Sequence, residues 1–310
     1  MMNLPPIFWG GLRSGQKRNS NLNLMLKKSI KRLYLILFFL STVTCLNAQT
    51  TISAIDEKLN LIYTSINGWD GKLDFYRPKG SQKVPLVIYI HGGGWTHGNK
   101  EAEYEKFKVF LANGYAVANV EYRLANQAPA PAAIVDVNAA ILYVLKQSDK
   151  LKIDPNKVVL MGGSAGSHLA LLAGLQARNP IYGSKSFKVA AIISKYGPTD
   201  LLTWDAASNP SSASSTWLGN RKTDTAFIKS LSPINYVAHN KIPILFVHGD
   251  QDKTVPLQQS TALYDKLKKH GSITTLYVVK GGKHGNFGEA ETAKMDLQML
   301  SFLDKYLGKQ

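Results

Sequence analysis

Residues Val158–Gly174 read VVLMGGSAGSHLALLAG, and this stretch decides how the rest of the chain is read. Its first residues form an uninterrupted apolar run, the pattern of a strand buried on both faces. Its last residues, rich in Leu and Ala, have the pattern of a helix. Between them Gly162, Gly163 and Gly166 surround Ser164 with nothing bulkier than Ala165. A chain that leaves a strand and enters a helix within two residues needs backbone freedom, and glycine supplies it because it lacks a Cβ. The pentapeptide is G-x-S-x-G in a strand–turn–helix context, which projects the serine hydroxyl above the strand ends. A tight structural turn is the plainer alternative, and other parts of the chain decide between the two.

The flanking sequence alternates strands and helices. Working outward, VPLVIYIH, YAVANVEYRL, KVVLMG, VAAIISKYG, IPILFVHGD and TTLYVVKG read as strands, with LNLIYTSI and KLDFYRP as two earlier ones joined by the turn NGWDG. YEKFKVFLAN, APAAIVDVNAAILYVLKQ, LQQSTALYDKLKKHG and a segment ending at Lys305 read as helices, the second with Pro131 near its start. This order implies an α/β fold: a mostly parallel central sheet with helices on both faces and its site at the carboxyl ends of the strands. The polar stretch 198–240 is expected to form a small lid insertion, within one domain spanning 49–310.

A serine hydroxyl needs a base to take its proton, and the base needs a third group to orient it. In folds with an elbow serine the acid follows the serine and the histidine follows the acid. Two carboxylates, Asp250 and Asp252, lie after the strand in PILFVHGDQDKTVP. Asp252 is the expected acid because Gly249 and Asp250 read as the turn leaving the strand; Asp250 is the alternative. His284, in GGKHGNF after the last strand, is the expected base. The other histidines fit less well. His91 and His248 precede glycines at strand ends, His168 lies on the elbow helix, and His97, His239 and His270 fall in loops or at a helix end. Finally, HGGGW, His91–Trp95, follows a buried strand. Its glycines let amides converge on one point, so Gly93, Gly94 and the amide of Ala165 are expected to form an oxyanion hole. Four pieces in one chain order, each at a strand end, favour a reactive Ser164.

These segments, together with HGGGWTHGNK, VEYRLANQAPAPAAIVDVNAA and HGDQDKTVP, resemble the α/β-hydrolase esterases of the hormone-sensitive-lipase-like type. They are closer still to the compact secreted acetyl/feruloyl (acetylxylan-type) esterases of polysaccharide-degrading bacteria. The resemblance runs from about Leu59 to the C-terminus. It implies the α/β-hydrolase fold and a serine carboxylesterase acting on short-chain acyl or aryl esters, on small molecules or on plant polysaccharides. It also implies that Glu121, Arg123 and Asp136 brace the oxyanion loop. Larger relatives carry an N-terminal helical cap, whereas here only about 52–73 precedes the first clear motif strands. Trp95, Trp204 and Trp217 are either an aromatic wall for substrate or ordinary packing. The rival readings are a serine exopeptidase, which usually carries a further large domain, and a non-catalytic binding protein of the same fold, which typically lacks the serine or histidine.

Composition fits this reading. The 310 residues are 45% apolar, enough for a sizeable core. The formal charge of +16 would suggest nucleic acid or a membrane surface, but residues 1–48 hold seven basic and no acidic residues. The thirty basic and twenty-one acidic residues that follow leave +9, with no aromatic–basic cluster, so no nucleic-acid partner is expected. KKSIKR followed by the uncharged LYLILFFLSTVTCLNA has the order of a secretory signal cleaved near Ala48, with Met25 an alternative start. The protein is thus expected to be periplasmic or extracellular, without stable membrane insertion after cleavage. Cys45 is the only cysteine, and Thr42 and Thr44 disfavour lipidation there. Cleavage near Ala48 would leave neither disulfide nor thiol chemistry. No metal or cofactor is expected, since His91 and His97 belong to no compact ligand set.

Overall fold

The computed structural model describes residues 54–178, 181–183, 185–204, 212–238 and 240–308. The expectations for the leader, Met25, Cys45 and cleavage near Ala48 lie outside those residues, as does His239.

The eight strands are β1 (Ile55–Ile66), β2 (Trp69–Pro78), β3 (Val84–Ile90), β4 (Ala116–Val120), β5 (Ile153–Gly163), β6 (Ala191–Lys195), β7 (Ile244–Gly249) and β8 (Thr274–Val279). They form one sheet in the order β1-β2-β4-β3-β5-β6-β7-β8. β1 pairs antiparallel with β2, and β2 antiparallel with β4. All later pairings are parallel. The first hairpin turns more tightly than NGWDG suggests. Asn67 and Gly68 alone make the turn, with φ of 50° and 81°, the left-handed pair that matches strand twist. The strand expected over YAVANVEYRL ends at Val120, because the residues after it serve the loops around the site.

Long helices cover both faces. They are α1 (Tyr104–Ala112), α2 (Ala132–Lys146), α3 (Ala165–Leu175), α4 (Gln258–Lys269) and α5 (Glu289–Leu307). The pleat of β3 divides the core: Leu86, Ile88 and Ile90 face α2 and α3, while Val87 and Tyr89 face α1 and α5. α4 packs on the α3 face through Leu263 and Leu267, against Leu171, Ile192 and Phe246. Burial on both sides explains why the inner strands read as continuous apolar runs. This order, with its single antiparallel β2 against a parallel body, is the α/β-hydrolase fold.

In the insertion, the described residues include short helices at Leu201–Trp204, Ala213–Leu218 and Thr225–Ser230. Ser212 and Asp224 cap the second and third by accepting from Ser215 N and Phe227 N. Gln259 of α4 anchors the start of the insertion, its Oε1 accepting the amides of Thr199 and Asp200 at 2.8 Å each.

Candidate active site

Ser164 stands at the turn from β5 into α3 with φ 54° and ψ −122°, a combination that L residues rarely adopt. The surroundings hold it there. Its amide donates to Lys195 O at 2.9 Å, at the end of the neighbouring strand, and its carbonyl accepts from His168 N at 3.1 Å. Gly166 must be glycine for a separate reason: a Cβ there would collide with the backbone carbonyls of Ile90 and His91. The first turn of α3 therefore approaches the end of β3 more closely than a side chain would permit.

His284 follows β8. Its Nε2 lies 2.9 Å from Ser164 Oγ and its Nδ1 2.7 Å from Asp252 Oδ2. Asp252 follows β7, and its other oxygen accepts the amides of Thr254 and Val255 at 2.9 Å each. Burial pushes the Asp252 carboxyl up, but hydrogen bonds from His248, His284 and the Val255 amide outweigh it and hold it well below the usual carboxylate range. Asp252 is therefore ionised and can only accept, so His284 Nδ1 donates to it. His284 Nε2 is left to accept the Ser164 proton. Asp250, the alternative acid, is used elsewhere: its Oδ1 accepts Gly281 N at 2.7 Å, tying the loop that carries His284 to the end of β7.

The oxyanion loop follows β3. Gly93 and Gly94 have φ of 106° and 57° and line the same cavity as Ser164. The carbonyl of Gly93 accepts the amides of Thr96 and His97, closing the loop into a tight turn. A Cβ on Gly93 would run into the His97 carbonyl. Ala165 begins α3, so its amide faces the helix N-terminus beside Ser164. His91, fully buried, stacks on Tyr122 with ring centroids 4.2 Å apart, and Tyr122 Oη donates to the His91 carbonyl. Arg123 clamps Asp136 through Nε and Nη2 at 2.8 and 2.7 Å, and Ala125 N donates to Trp95 O at 2.8 Å. Arg123 and Asp136 thus fix the segment that touches the oxyanion loop. Glu121 differs from expectation: its backbone carbonyl accepts from Tyr63 Oη, while its carboxylate makes no ion pair among the described residues.

Three further residues, not singled out by the strand-end pattern, shape the site. His248 donates from Nε2 to Val255 O at 2.8 Å and reaches Asp252 Oδ2 at 3.3 Å, while its Nδ1 accepts from Ser260 Oγ. Tyr196, at the end of β6, lies edge-on to His284 with centroids 5.0 Å apart. Lys100 forms a buried ion pair with Asp74 at 3.0 Å and accepts Asn119 Nδ2 on its carbonyl, pinning the chain just beyond the oxyanion loop. The three tryptophans part company. Trp95 and Trp217 stack at 4.6 Å, wholly buried, against His168, so they are core. Trp204 lines the cavity and donates Nε1 to Thr254 O at 3.0 Å.

The cavity has a volume of about 620 Å3, bounded by Ser164, His284, Gly92–Gly94, Tyr196, Trp204, Ala213 and Val255. Its size suits a small organic ester. Among the described residues, no group of three or more His, Cys, Asp or Glu side chains could hold a metal ion. No helix among them is long and apolar enough to cross a membrane.

An α/β-hydrolase with a serine, histidine and aspartate aligned at its strand ends is the class that fold and site define. A family model described as BD-FAE matches residues 73–267, and the chain belongs to that family. Esterase LipC of Mycobacterium tuberculosis (strain ATCC 25618 / H37Rv) is 30% identical over 229 residues, 69% of this chain and 56% of LipC. Esterase LipQ of the same organism is 30% identical over 241 residues, 73% of this chain and 56% of LipQ. The chain thus spans little more than half the length of these curated relatives. Among solved structures, a truncated carbohydrate esterase from gut microbiota superposes with a TM-score of 0.72 at 27% identity, covering 82% of this chain and 98% of that one. The apo form of Thermogutta terrifontis esterase 2 shares the fold at a TM-score of 0.69 and 22% identity, covering 86% and 98%.

Proposed function

We propose that the protein is a serine carboxylesterase that hydrolyses short-chain acyl or aryl esters, acetyl and feruloyl among them, borne on carbohydrate. The observation that carries this reading is the hydrogen-bonded relay from Ser164 Oγ through His284 to Asp252, opening into a cavity walled by the oxyanion loop. Ser164 Oγ attacks the ester carbonyl carbon while its proton passes to His284 Nε2. The carbonyl oxygen takes up negative charge facing the amides of Gly93, Gly94 and Ala165. When the intermediate collapses, the bond to the alcohol oxygen breaks and His284 returns the proton to it. Water then attacks the acyl-serine, gives its proton to His284, and the acid leaves as Ser164 regains its hydrogen. Asp252 holds the ring in the required tautomer and stabilises its cationic form.

Family membership and the names of the similar esterases support ester hydrolysis, and the likeness to a carbohydrate esterase of the gut microbiota supports a sugar-borne substrate. Export, with the leader removed near Ala48, is part of the same proposal and rests on the basic–apolar–small order of residues 27–48. Hydrolysis of p-nitrophenyl acetate, butyrate and octanoate, methyl ferulate and acetylated xylan is compared for the wild type and Ser164→Ala. Activity that favours acetate or ferulate and vanishes in the variant is the expected result. A preference for octanoate overturns the substrate class. Equal inertness of both proteins on every ester overturns the activity.

A further inference from the structure

One wall of the active cavity is charged in a way that the hydrolytic relay does not use. Glu103 and Lys106, at the start of α1, line the cavity with Ser164 and His284. Glu103 is buried at 6% exposure. Its Oε2 accepts from Tyr89 Oη and its Oε1 from Lys106 Nζ, both at 2.8 Å. Tyr89 is itself buried in the sheet and also lines the cavity. Lys106 is half-exposed, so its ammonium reaches Glu103 along one direction and keeps donors for a second partner. Lys195 lies behind the pair, its Nζ 5.7 Å from the Tyr89 ring centroid.

Burying a carboxylate opens a large desolvation cost, and its pairing with lysine is weak evidence of a stabilising role. Cavities that bind small molecules fix orientation through a few such polar groups among apolar walls. Trp204 and Val255 also line the cavity, and Glu103–Lys106 is a lysine–carboxylate pair in the same lining. A carboxylate accepts and an ammonium donates. Two neighbouring hydroxyls satisfy both at once, because each can donate to the carboxylate oxygen or accept from the ammonium. An aliphatic chain satisfies neither.

We infer that Glu103 and Lys106, with Tyr89 holding the carboxylate, form the subsite that takes the vicinal hydroxyls of a sugar on the alcohol side of the ester. The inference rests on the esterase reading above and assigns its alcohol specificity to named residues. A site built to bond hydroxyls discriminates strongly against an analogue that lacks them, because the buried polar groups are then left unpaired.

The test compares a matched pair of acetates: methyl 2-O-acetyl-β-D-xylopyranoside, with two adjacent free hydroxyls, and cyclohexyl acetate, with none. For the wild type, Lys106→Met and Glu103→Gln, the ratio of kcat/KM for the sugar ester to kcat/KM for the cyclohexyl ester is measured. Both substitutions are expected to lower that ratio by at least about tenfold. Methyl β-D-xylopyranoside is expected to inhibit cyclohexyl acetate hydrolysis competitively in the wild type, and at least about tenfold more weakly in Lys106→Met. That half-exposed position tolerates the change even if Glu103→Gln does not fold. A ratio and an inhibition constant that stay within about twofold in Lys106→Met overturn the subsite. Failure of the underlying reading is a different result: Ser164→Ala matches the wild type on both acetates.

Discussion

His284 and His248 converge on a single oxygen of Asp252, at 2.7 and 3.3 Å. The first is the base of the relay and half-faces the cavity. The second is wholly buried, its proton directed to the Val255 carbonyl and its other nitrogen bound by Ser260. Asp252 is therefore held by two amides on one oxygen and two imidazoles on the other. Its direction does not depend on the free end of any surface side chain.

Replacing the acid separates the two candidate carboxylates. Asp252→Asn leaves an amide where His284 needs an acceptor, favouring the wrong tautomer, and is expected to lower kcat by about 10⁴-fold. Asp250→Asn keeps an oxygen for Gly281 N and is expected to cost less than about tenfold. Steady-state kinetics on p-nitrophenyl acetate decides between them, and equal losses would undo the assignment of Asp252.

The nucleophile's backbone makes an opposite-signed prediction for stability. Ordinarily glycine is less stable than alanine by about 0.5–1 kcal/mol. At Ser164, where φ is 54°, the order is expected to invert, with Ser164→Gly more stable than Ser164→Ala by about 1 kcal/mol. Both variants should lose at least about 10⁴-fold in kcat. Chemical denaturation of the pair reads the backbone strain directly, because both lack the hydroxyl.

Despite burial, Asp252 is held ionised well below the usual carboxylate range by its hydrogen bonds. The pH profile of kcat/KM is therefore expected to show no acid limb from Asp252 in the usual carboxylate range near about pH 4. A limb near about pH 4 would overturn the account of how Asp252 is held.

His168 sets a pH dependence of stability. It is buried, and desolvation lowers it from 6.5 to about 4 despite the hydrogen bond to Leu231 O. The unfolded chain takes up a proton near 6.5 that the folded chain refuses until about 4. Stability contributed by this site is thus complete above 6.5 and is lost as pH falls to about 4, a loss of about 3 kcal/mol in total. Denaturant midpoints measured from pH 7 to 4 should fall less steeply in His168→Gln than in the wild type. Equal slopes would remove His168 from the account.

The fold is legible in the sequence because its inner strands are buried on both faces and so appear as unbroken apolar runs. Ser164 is legible because it follows such a run, and His284 because it comes after the acid and beyond the last strand; glycines surround both where the turns need freedom. His248 is not legible: it also sits at a strand end before a glycine, and only the path of 250–255, folding back over it, places it against Asp252. Tyr196 and Glu103 reach the cavity from β6 and from the turn before α1, and nothing in their neighbours' spacing marks them. Trp95 and Trp217 are ambiguous in sequence because a buried stack and a substrate wall use the same residue type. Glu121, which the resemblance places with Arg123 and Asp136 as a brace, accepts Tyr63 Oη on its backbone carbonyl.

Ser164 and His284 are 120 residues apart in the chain, and they meet only when β7, β8 and the loop beyond them have joined the sheet beside β6. Pairings of such long range form late. A chain still leaving the ribosome presents Ser164 after β5 before His284 and Asp252 have been synthesised. Under the proposed function, turnover requires the last strand in place, and its recovery during refolding is expected to lag the burial of the central strands.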